Sequence, residues 1–235
     1  MKKHFLANAY TCIVPFYNEG ERVLHVLSVL TKVKNLATII CVDDGSKDDA
    51  YRKIQKRYPE VIVIRSEKNQ GKASAVYKGL LKTQTEYVLL IDADLQHLKK
   101  HEIEHAIRIM KNDKRIDMLI LKRETDPWFA KLVRAHITAT GERILRTEDL
   151  LKAYHSKPKK YQLEFAIDFY MVEQHKQVYW VHWTAQNTLK TKKIGMLKGI
   201  TADLAMYFHM TSFGYIKTCI NIATFCRNEY PGSLT

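Results

Sequence analysis

Residues 87–96 read Tyr-Val-Leu-Leu-Ile-Asp-Ala-Asp-Leu-Gln, an uninterrupted apolar run that leads directly into two carboxylates. A short, continuous apolar run indicates a strand that is buried on both faces, as in parallel sheets. Asp92 and Asp94 then lie at the carboxyl end of this strand. Ligands of open α/β sheets bind at the carboxyl ends of the strands, so this stretch predicts both the fold class and the edge that carries the site.

Further apolar runs alternate with helical patterns along the first half of the chain, which is typical of parallel strands joined by crossover helices. The predicted strands span residues 10–16, 37–42, 61–65, 87–91 and 116–121. Apolar residues at i, i+3, i+4 and i+7 predict amphipathic helices around residues 23–30, 73–80 and 103–110. The sequence therefore predicts an α/β fold with a mostly parallel central sheet flanked by helices.

A second acidic pair, Asp43 and Asp44, follows the predicted strand at residues 37–42. Ser46, with Asp49 three residues later, matches an N-cap and an acid in the first turn, which predicts a helix that starts directly after Gly45. Because the carboxyl ends of parallel strands meet at one edge of the sheet, the two acidic clusters predict one shared site.

The spacing of Asp92, Asp94 and Gln96 suits a metal site, because an extended chain places alternate side chains on one side. Two carboxylates and an amide oxygen are ligands that Mg²⁺ or Mn²⁺ prefers, and these ions keep positions open for substrate phosphates. Taken alone, the same pattern also suits a solvated turn with a helix cap.

The alternation of apolar runs with helical patterns weakens beyond residue 122. A modest amphipathic element covers residues 128–144, and further patterns predict a helix around 163–171, a strand at 178–183 and one or two helices within 200–226. No linker rich in Pro, Gly or Ser separates this half. Residues 1–122 and 123–235 are therefore predicted to form two halves of one domain.

The chain has 235 residues and a formal net charge of +13, from 38 Lys and Arg against 25 Asp and Glu. This surplus suits an anionic partner such as a nucleotide diphosphate, an anionic membrane surface or a nucleic acid. No run approaches about 18 apolar residues, so no membrane-spanning segment is predicted. The cysteines lie singly in apolar surroundings, which indicates reduced thiols in a cytoplasmic protein: Cys12, Cys41, Cys219 and Cys226.

Four motifs follow one another, each at the end of a predicted strand or the start of a helix: residues 13–19 (IVPFYNE), 42–48 (VDDGSKD), 69–72 (NQGK) and 92–97 (DADLQH). In this order they resemble glycosyltransferase family 2, the inverting enzymes of GT-A fold. Within that family the sequence is most similar to the dolichyl-phosphate or polyprenyl-phosphate sugar synthases. The resemblance implies a Rossmann-like GT-A sheet with an acceptor-side α+β extension at the C-terminus.

The resemblance also implies residues that bind a nucleotide-sugar donor. Pro15 and Glu19 would line the nucleotide pocket. Asp44 would accept a hydrogen bond from an N–H group of the base, with Asp43 beside it. Lys72 would lie near the nucleotide or its pyrophosphate. These residues stand in three separate motifs, so the implied pocket depends on the fold bringing the motifs together.

At the end of the predicted strand 87–91, the resemblance implies that Asp92, Asp94 and Gln96 ligate Mg²⁺ or Mn²⁺. The ion in turn binds the diphosphate of the donor. Sugar transfer releases a nucleoside diphosphate, and a bound cation stabilises the negative charge that builds on the leaving oxygen. Asp94 is therefore also a candidate catalytic residue.

The acceptor side is less defined. A lipid phosphate, with its second pKa of about 6, attacks without a general base, whereas a sugar hydroxyl needs one. Four acids are candidate bases, and each also suits a solvated helix position: Glu148, Asp149, Glu164 and Asp168. Glu164 and Asp149 are retained as candidate catalytic residues, because Glu164 resembles an acidic position of the synthases. Residues 140–143 (TGER) resemble the family segment Ser-Gly-Phe-Arg, which makes Arg143 a candidate phosphate contact.

Two departures from the synthase pattern leave the acceptor open between a polyprenyl phosphate and a cell-envelope glycan or glycolipid. Residues 121–123 read Leu-Lys-Arg where the synthases have Gly-Ser-Arg, and no phosphate-binding arginine is evident after Trp183. Basic and aromatic residues in the second half suit either peripheral contact with an anionic membrane at its cytoplasmic face or an ordinary solvated surface and core: Lys157, Lys159, Lys160, Trp180, Trp183, residues 190–198, Tyr207, Phe208 and Phe213.

Three other functions compete with this interpretation. A nucleic-acid-binding protein fits the net charge, but the aromatic residues do not alternate with basic ones as stacking platforms would. A nucleotidyltransferase would need a glycine-rich, lysine-tipped loop near the first strand, where residues 16–19 read Phe-Tyr-Asn-Glu. An inactive GT-A-like module is disfavoured by the intact triplet of metal-ligand types. We expect no nucleic-acid partner.

Overall fold

A computed structural model describes residues 5–123, 140–159, 162–187 and 229–231. Within them, seven strands form one sheet in the order β3-β2-β1-β4-β7-β6-β8, and two short strands, β5 and β9, form a second sheet. The strands are β1 Leu6–Phe16, β2 Leu36–Asp43, β3 Ile62–Arg65, β4 Thr85–Leu90, β5 Leu95–Gln96, β6 Met118–Arg123, β7 Arg143–Arg146, β8 Val178–Trp183 and β9 Gln186–Asn187. The helices are α1 Glu21–Leu30, α2 Ala50–Arg57, α3 Lys72–Lys82, α4 Lys100–Asn112, α5 Thr147–Ala153 and α6 Leu163–Glu173, with a 3₁₀ turn at Tyr154–Ser156.

The predicted α/β class with a mostly parallel sheet is confirmed. Strands β1, β2, β3 and β4 are parallel neighbours, as are β6 and β8. Strand β7 runs antiparallel between β4 and β6. Every strand predicted from an apolar run is present with bounds shifted by a few residues, whereas the four-residue strand β7 was not predicted.

Helices cover both faces of the sheet and so explain the continuous apolar strands. Alternate residues of β1 lie in different core layers, with Cys12 and Val14 against α1, α2 and α4, and Ile13 against α3, α5 and α6. Burying an aliphatic side chain such as Val14 or Ile13 stabilises the folded state by about 1.5–3 kcal/mol. Gly79 brings α3 close to the sheet, since a Cβ there would lie 2.8 Å from Ile13 Cγ2. This close approach positions the first turn of α3 at the carboxyl edge.

Two local predictions were wrong. Helix α2 begins at Ala50 with Asp49 as its N-cap residue, not directly after Gly45. Ser46 instead donates its N–H to Asp43 Oδ1 (2.7 Å) and accepts the Asn18 N–H on its hydroxyl (2.9 Å), so it ties the ends of β1 and β2 together. The chain is also not extended through residues 92–96, because residues 93–94 form a turn before β5.

Several predictions lie outside the described residues: the helices within 200–226, the part of the amphipathic element before residue 140, Lys160, the basic group at 190–198, Tyr207, Phe208, Phe213, Cys219 and Cys226. Among the helices that the structure describes, none combines the length and apolar character needed to cross a bilayer. Strands from both sides of residue 122 enter the same sheet, with β1 to β4 from the first half and β7 and β8 from the second.

Candidate functional site

The two acidic clusters of the sequence meet at the start of α3. The Asp44 carboxylate accepts the backbone N–H groups of Gln70 (3.0 Å) and Gly71 (2.6 Å). The next side chain, Lys72, places its Nζ 2.6 Å from Asp92 Oδ1. The segment 70–72 therefore connects the end of β2 to the end of β4. Gly71 permits this path because its φ of 93° lies in the region that other residues avoid.

An opening in the surface lies beside Asp43 and Asp44. A cavity of about 380 Å³ is lined by Gly45, Ser46, Arg65, Ser66 and Glu67. The Arg65 guanidinium lies 3.2 Å from Asp43 Oδ2 and also donates to the Ser46 carbonyl. Burial raises the pKa of Asp44, and the N–H groups that it accepts oppose the shift.

Of the other predicted nucleotide contacts, Glu19 is paired with Arg22 through Oε2 and Nε at 2.6 Å. Pro15 lies near the end of β1, in register with Val42 of β2. The first loop is also held to the second, since the Gly20 N–H donates to Asp48 Oδ2 at 2.9 Å. Both predicted contacts thus lie in or next to the strand end that borders Asp43.

Lys72 joins three elements in a compact ion cluster. Its Nζ lies 2.8 Å from Glu164 Oε1 in addition to its contact with Asp92. Burial lowers the pKa of Lys72, but the charges of Asp92, Glu164 and Glu142 outweigh it and raise the pKa above its ordinary value. The lysine therefore stays protonated. It holds the first turn of α6 to the end of β4, so Glu164 reaches the predicted metal-binding strand end.

Glu142 is a residue of this cluster that the sequence interpretation missed. Its side chain is 0% exposed, and neither carboxylate oxygen has a hydrogen-bond partner among the described residues. Burial raises its pKa to about 7; Asp92 adds to the shift, while Arg123 and Lys72 oppose it. The signal was present in the segment 140–143, where Glu stands in the place of Phe in the resembling family segment.

Gly141 allows the lysine and the 140–143 segment to approach each other. A Cβ at this position would lie 2.5 Å from Lys72 Nζ and 3.1 Å from both Asp92 carboxylate oxygens. A larger residue would force the ammonium away from its place. The glycine of this segment thus has a direct steric role next to the predicted metal ligand.

Arg143 lies deeper than a phosphate contact is expected to lie. Its side chain is 0% exposed, and Nη1 donates to Asp168 Oδ1 at 2.7 Å. Nη2 donates to the Thr140 carbonyl. Burial raises the pKa of Asp168 to about 6, and Arg143 opposes the shift. The pair fastens α6 to β7 behind the ion cluster, and a role for Arg143 in phosphate binding stays a prediction.

Asp149 is not brought to this site. It follows β7 at the opposite, amino-terminal edge of the sheet, because β7 runs antiparallel to its neighbours. There Asp149 accepts the Tyr170 hydroxyl (2.9 Å) and lies 3.2 Å from Lys176 Nζ. Glu148 is exposed and paired with Lys152. The sequence analysis named Asp149 as a candidate catalytic residue without recognising β7, whose antiparallel direction carries Asp149 to this edge.

The predicted metal ligands fit a cation that a substrate helps to hold. Asp92 and Asp94 are half-buried at the end of β4, and Gln96 is exposed in β5. No three His, Cys, Asp or Glu side chains of the described part of the chain are grouped to bind a metal on their own. One or two carboxylates completed by substrate phosphates are the usual set for Mg²⁺. The donor chemistry therefore suits a metal bound together with a diphosphate.

A second cavity, of about 780 Å³, lies on the outer side of α3. Its wall includes Tyr77 and Tyr154, whose rings pack 4.9 Å apart, and the Tyr154 hydroxyl donates to the Ala73 carbonyl. Lys157 and Lys159 line it as well, and none of the described residues in its wall is acidic. The cavity thus offers aromatic surface with positive charge, one helical turn from Lys72.

Comparison with known proteins bears on all of these features. The model of a family described as Glycosyl transferase family 2 matches residues 11–183. A dolichol-phosphate mannosyltransferase of Pyrococcus furiosus is 33% identical over 133 residues, which cover 52% of this chain and 37% of the relative. An undecaprenyl-phosphate 4-deoxy-4-formamido-L-arabinose transferase of Proteus mirabilis is 28% identical over 160 residues, 63% of this chain and 49% of the relative. The chain thus matches half or less of the length of these relatives.

Among solved structures, glucosyl-3-phosphoglycerate synthase of Mycobacterium tuberculosis, in complex with Mn²⁺, UDP-glucose and phosphoglyceric acid, has a TM-score of 0.69. Its sequence identity is 16%, and the superposition covers 90% of this chain and 79% of that one. The same enzyme has also been solved with Mg²⁺ and UDP. This likeness in fold confirms the GT-A architecture that the motifs implied.

Proposed function

This chain belongs to glycosyl transferase family 2, and on that basis we propose that it transfers a sugar from a UDP- or GDP-sugar, with Mg²⁺ or Mn²⁺, to a polyprenyl phosphate or a cell-envelope glycan or glycolipid. One observation carries the proposal: the segment 70–72 binds Asp44 on one side and Asp92 on the other. Donor recognition and donor activation would then share one short segment at the start of a helix.

On the donor side, Pro15, Glu19, Asp43 and Asp44 would line the proposed nucleotide pocket. Asp43 and Arg65 hold the wall of the adjoining cavity. Lys72 supplies a positive charge at the helix N-terminus, where a diphosphate is favoured by the helix dipole. The lysine would bind the leaving diphosphate without losing its proton, since its pKa is raised.

Asp92, Asp94 and Gln96 would hold the cation. When bound, that ion stabilises the negative charge on the leaving diphosphate. The structural neighbour binds Mn²⁺ with UDP-glucose and Mg²⁺ with UDP, which supports this cofactor choice. Asp92 and Asp94 would also orient the diphosphate toward Lys72, because all three groups lie at the end of β4 or next to it.

On the acceptor side, Glu164 is the proposed general base for a hydroxyl acceptor. It lies 2.8 Å from Lys72 Nζ, at the same strand end as Asp92. A phosphate acceptor needs no base, and the cavity beside Tyr77 and Lys157 would suit an anionic group attached to apolar chain. The names of the relatives, which act on dolichol phosphate and undecaprenyl phosphate, favour that second acceptor.

Calorimetric titration with a panel of UDP- and GDP-sugars, with and without Mn²⁺ or Mg²⁺, tests the donor half. We expect at least one sugar nucleotide to bind, with affinity strengthened by metal. Asp94→Asn should weaken the metal-dependent part of the affinity about tenfold or more. Glu148→Gln, which removes an exposed carboxylate elsewhere, serves as the matched control. Absence of nucleotide binding under all conditions would contradict the proposal.

We further propose that the reaction takes place at the cytoplasmic face of an anionic membrane. Exposed Lys157 and Lys159 near the second cavity support this location. Co-sedimentation with vesicles that contain anionic lipid should retain the protein at low salt and release it at high salt. Equal sedimentation with neutral and anionic vesicles would argue for a glycan acceptor in solution.

A further inference from the structure

The Glu142 carboxyl group is fully buried, and Arg123 is the described residue whose positive charge offsets this burial most. A fully buried carboxylate that lacks hydrogen bonds is costly, and native proteins retain few of them. Both oxygens of Glu142 are in this condition among the described residues. The side chain belongs to the segment that contacts Lys72, since residue 141 packs against the Lys72 ammonium. Since neither Arg123 nor any other described residue donates a hydrogen bond to it, Glu142 can accept a further donor.

Lys72 is the group whose position must change during the proposed reaction. Its ammonium lies 2.6 Å from Oδ1 of Asp92, and the proposed function assigns the Asp92 carboxylate to the cation. An ammonium and a divalent cation repel each other strongly at such separations in a partly buried site.

The surroundings offer the ammonium one alternative direction. Glu164 already binds it at 2.8 Å. Gly141, which presents no side chain, also lies against the ammonium, and the carboxylate of the adjoining Glu142 has no hydrogen-bond donor among the described residues. The flexible stem of lysine allows the ammonium to move by a few ångströms while its backbone stays in α3.

We propose that Glu142 receives the Lys72 ammonium when a divalent cation takes Asp92, so that Glu142 positions Lys72 and raises the affinity for the metal. This inference rests on the proposed function, which assigns Asp92 to the cation. In the metal-free protein Lys72 occupies Asp92 and Glu164. In the loaded protein Lys72 is held between Glu164 and Glu142, beside the diphosphate. Glu142 is thus a positioning residue that acts through Lys72.

A double-mutant cycle on metal affinity tests the proposal. The dissociation constant of Mn²⁺ is measured by calorimetry and by electron paramagnetic resonance in the presence of UDP or GDP, for the wild type, Glu142→Gln, Lys72→Met and the double variant. We expect Glu142→Gln to weaken Mn²⁺ binding about tenfold in the wild type and less than about twofold in Lys72→Met. An equal loss in both backgrounds would mean that Glu142 acts on the cation by its charge alone, and would overturn the proposal.

Two further variants keep the result interpretable. Glu142→Asp retains the carboxylate and should restore most of the affinity, whereas a purely structural role would make it as harmful as Glu142→Gln. Glu148→Gln removes one exposed negative charge and should leave the affinity unchanged. If Glu142→Gln does not fold, the Lys72 side-chain nitrogen resonance is followed in the wild type and in Glu142→Asp on adding Mg²⁺ with UDP or GDP; an unchanged resonance would overturn the proposal.

The outcome also separates this inference from the proposed function. If the wild type binds no Mn²⁺ with any nucleotide, the proposed metal dependence fails and the positioning role fails with it. If the wild type binds Mn²⁺ and the cycle shows no coupling between Glu142 and Lys72, only the positioning role fails.

Discussion

Opposite edges of the sheet carry similar ion clusters with different surroundings. At the amino edge, Lys176 lies 3.2 Å from both Asp117 and Asp149. Each of these carboxylates has another donor, the Gln177 N–H for Asp117 and the Tyr170 hydroxyl for Asp149. The cluster connects the starts of β6 and β8 with α5 and α6. Its groups have partners within the fold, which is the mark of a structural tie.

At the carboxyl edge, Lys72 bridges Asp92 and Glu164 in the same manner, but a third carboxylate, Glu142, lies buried beside the pair without a hydrogen bond among the described residues. The two edges do not differ in the excess of carboxylates over cations, because Arg123 also acts on Glu142, and the amino-edge cluster sets two carboxylates against one lysine. They differ in hydrogen bonding, and a buried carboxylate without a hydrogen bond is seldom retained for the fold alone. The difference between the edges teaches that such a carboxylate, rather than the presence of an ion pair, identifies the functional cluster.

Removing one carboxylate partner from each lysine gives the largest expected contrast. Asp92→Asn should lower the rate of sugar transfer about a hundredfold or more, because the group assigned to the cation loses its charge. Asp117→Asn should change the rate by less than about threefold. Release of UDP or GDP is measured for both variants at saturating metal. Equal losses for the two would show that the edges do not differ in function.

Removing the lysines themselves sharpens the contrast in a second way. Lys72→Met should lower the transfer rate about thirtyfold, since a positive charge beside the leaving diphosphate is lost. Lys176→Met should leave the rate nearly unchanged and lower the free energy of unfolding by about 1 kcal/mol, a figure reduced for the partial exposure of the pair. Transfer assays and urea denaturation are run on the same samples. A rate loss in Lys176→Met that exceeds its loss of folded protein would count against the assignment.

The third prediction concerns the unmatched carboxylate and pH. The pKa of Glu142 is raised to about 7 from an ordinary 4.5, so the folded state binds this proton more tightly than the unfolded state. The free energy of unfolding contributed by this group therefore falls as pH rises from about 4.5 to about 7, and is constant above that range.

Glu142→Gln removes the dependence, because the amide does not titrate. Relative to the wild type, the variant should gain about 1–2 kcal/mol of stability between pH 5 and pH 8 in metal-free buffer. Urea denaturation at the two pH values measures the change, with Glu148→Gln as the control for loss of a carboxylate. A constant difference between Glu142→Gln and the wild type across this range would show that Glu142 is ionised throughout.

The sequence was sufficient for the fold and for one side of the site. Continuous apolar strands and helical spacing predicted the parallel sheet, because burial on both faces leaves a direct trace in composition. Acidic residues at strand ends predicted that Asp44 and Asp92 would share an edge, and the start of α3 joins them. These inferences succeeded because each depends on local pattern and on a general rule of α/β topology.

The remaining features depend on long-range pairing that local pattern does not carry. Strand β7 has four residues, too few for a distinct period, and its antiparallel direction moves the following helix to the other edge. The same strand brings Glu142 next to Lys72, some seventy residues earlier in the chain. The burial of Arg143 against Asp168 likewise results from packing between α6 and β7.

Asp149 provides the smallest expected effect and the strictest test of the two edges. Its sequence position made it a candidate base, but its carboxylate is held by Tyr170 and Lys176 at the amino edge. Asp149→Asn should therefore keep the transfer rate within about twofold, while losing about 1 kcal/mol of stability with the weakened hydrogen bond and ion pair. The matched variant Glu164→Gln should reduce transfer to a hydroxyl acceptor far more. If Asp149→Asn abolished transfer in a protein that remained folded, catalysis would require a group at the edge that the topology places farthest from the donor.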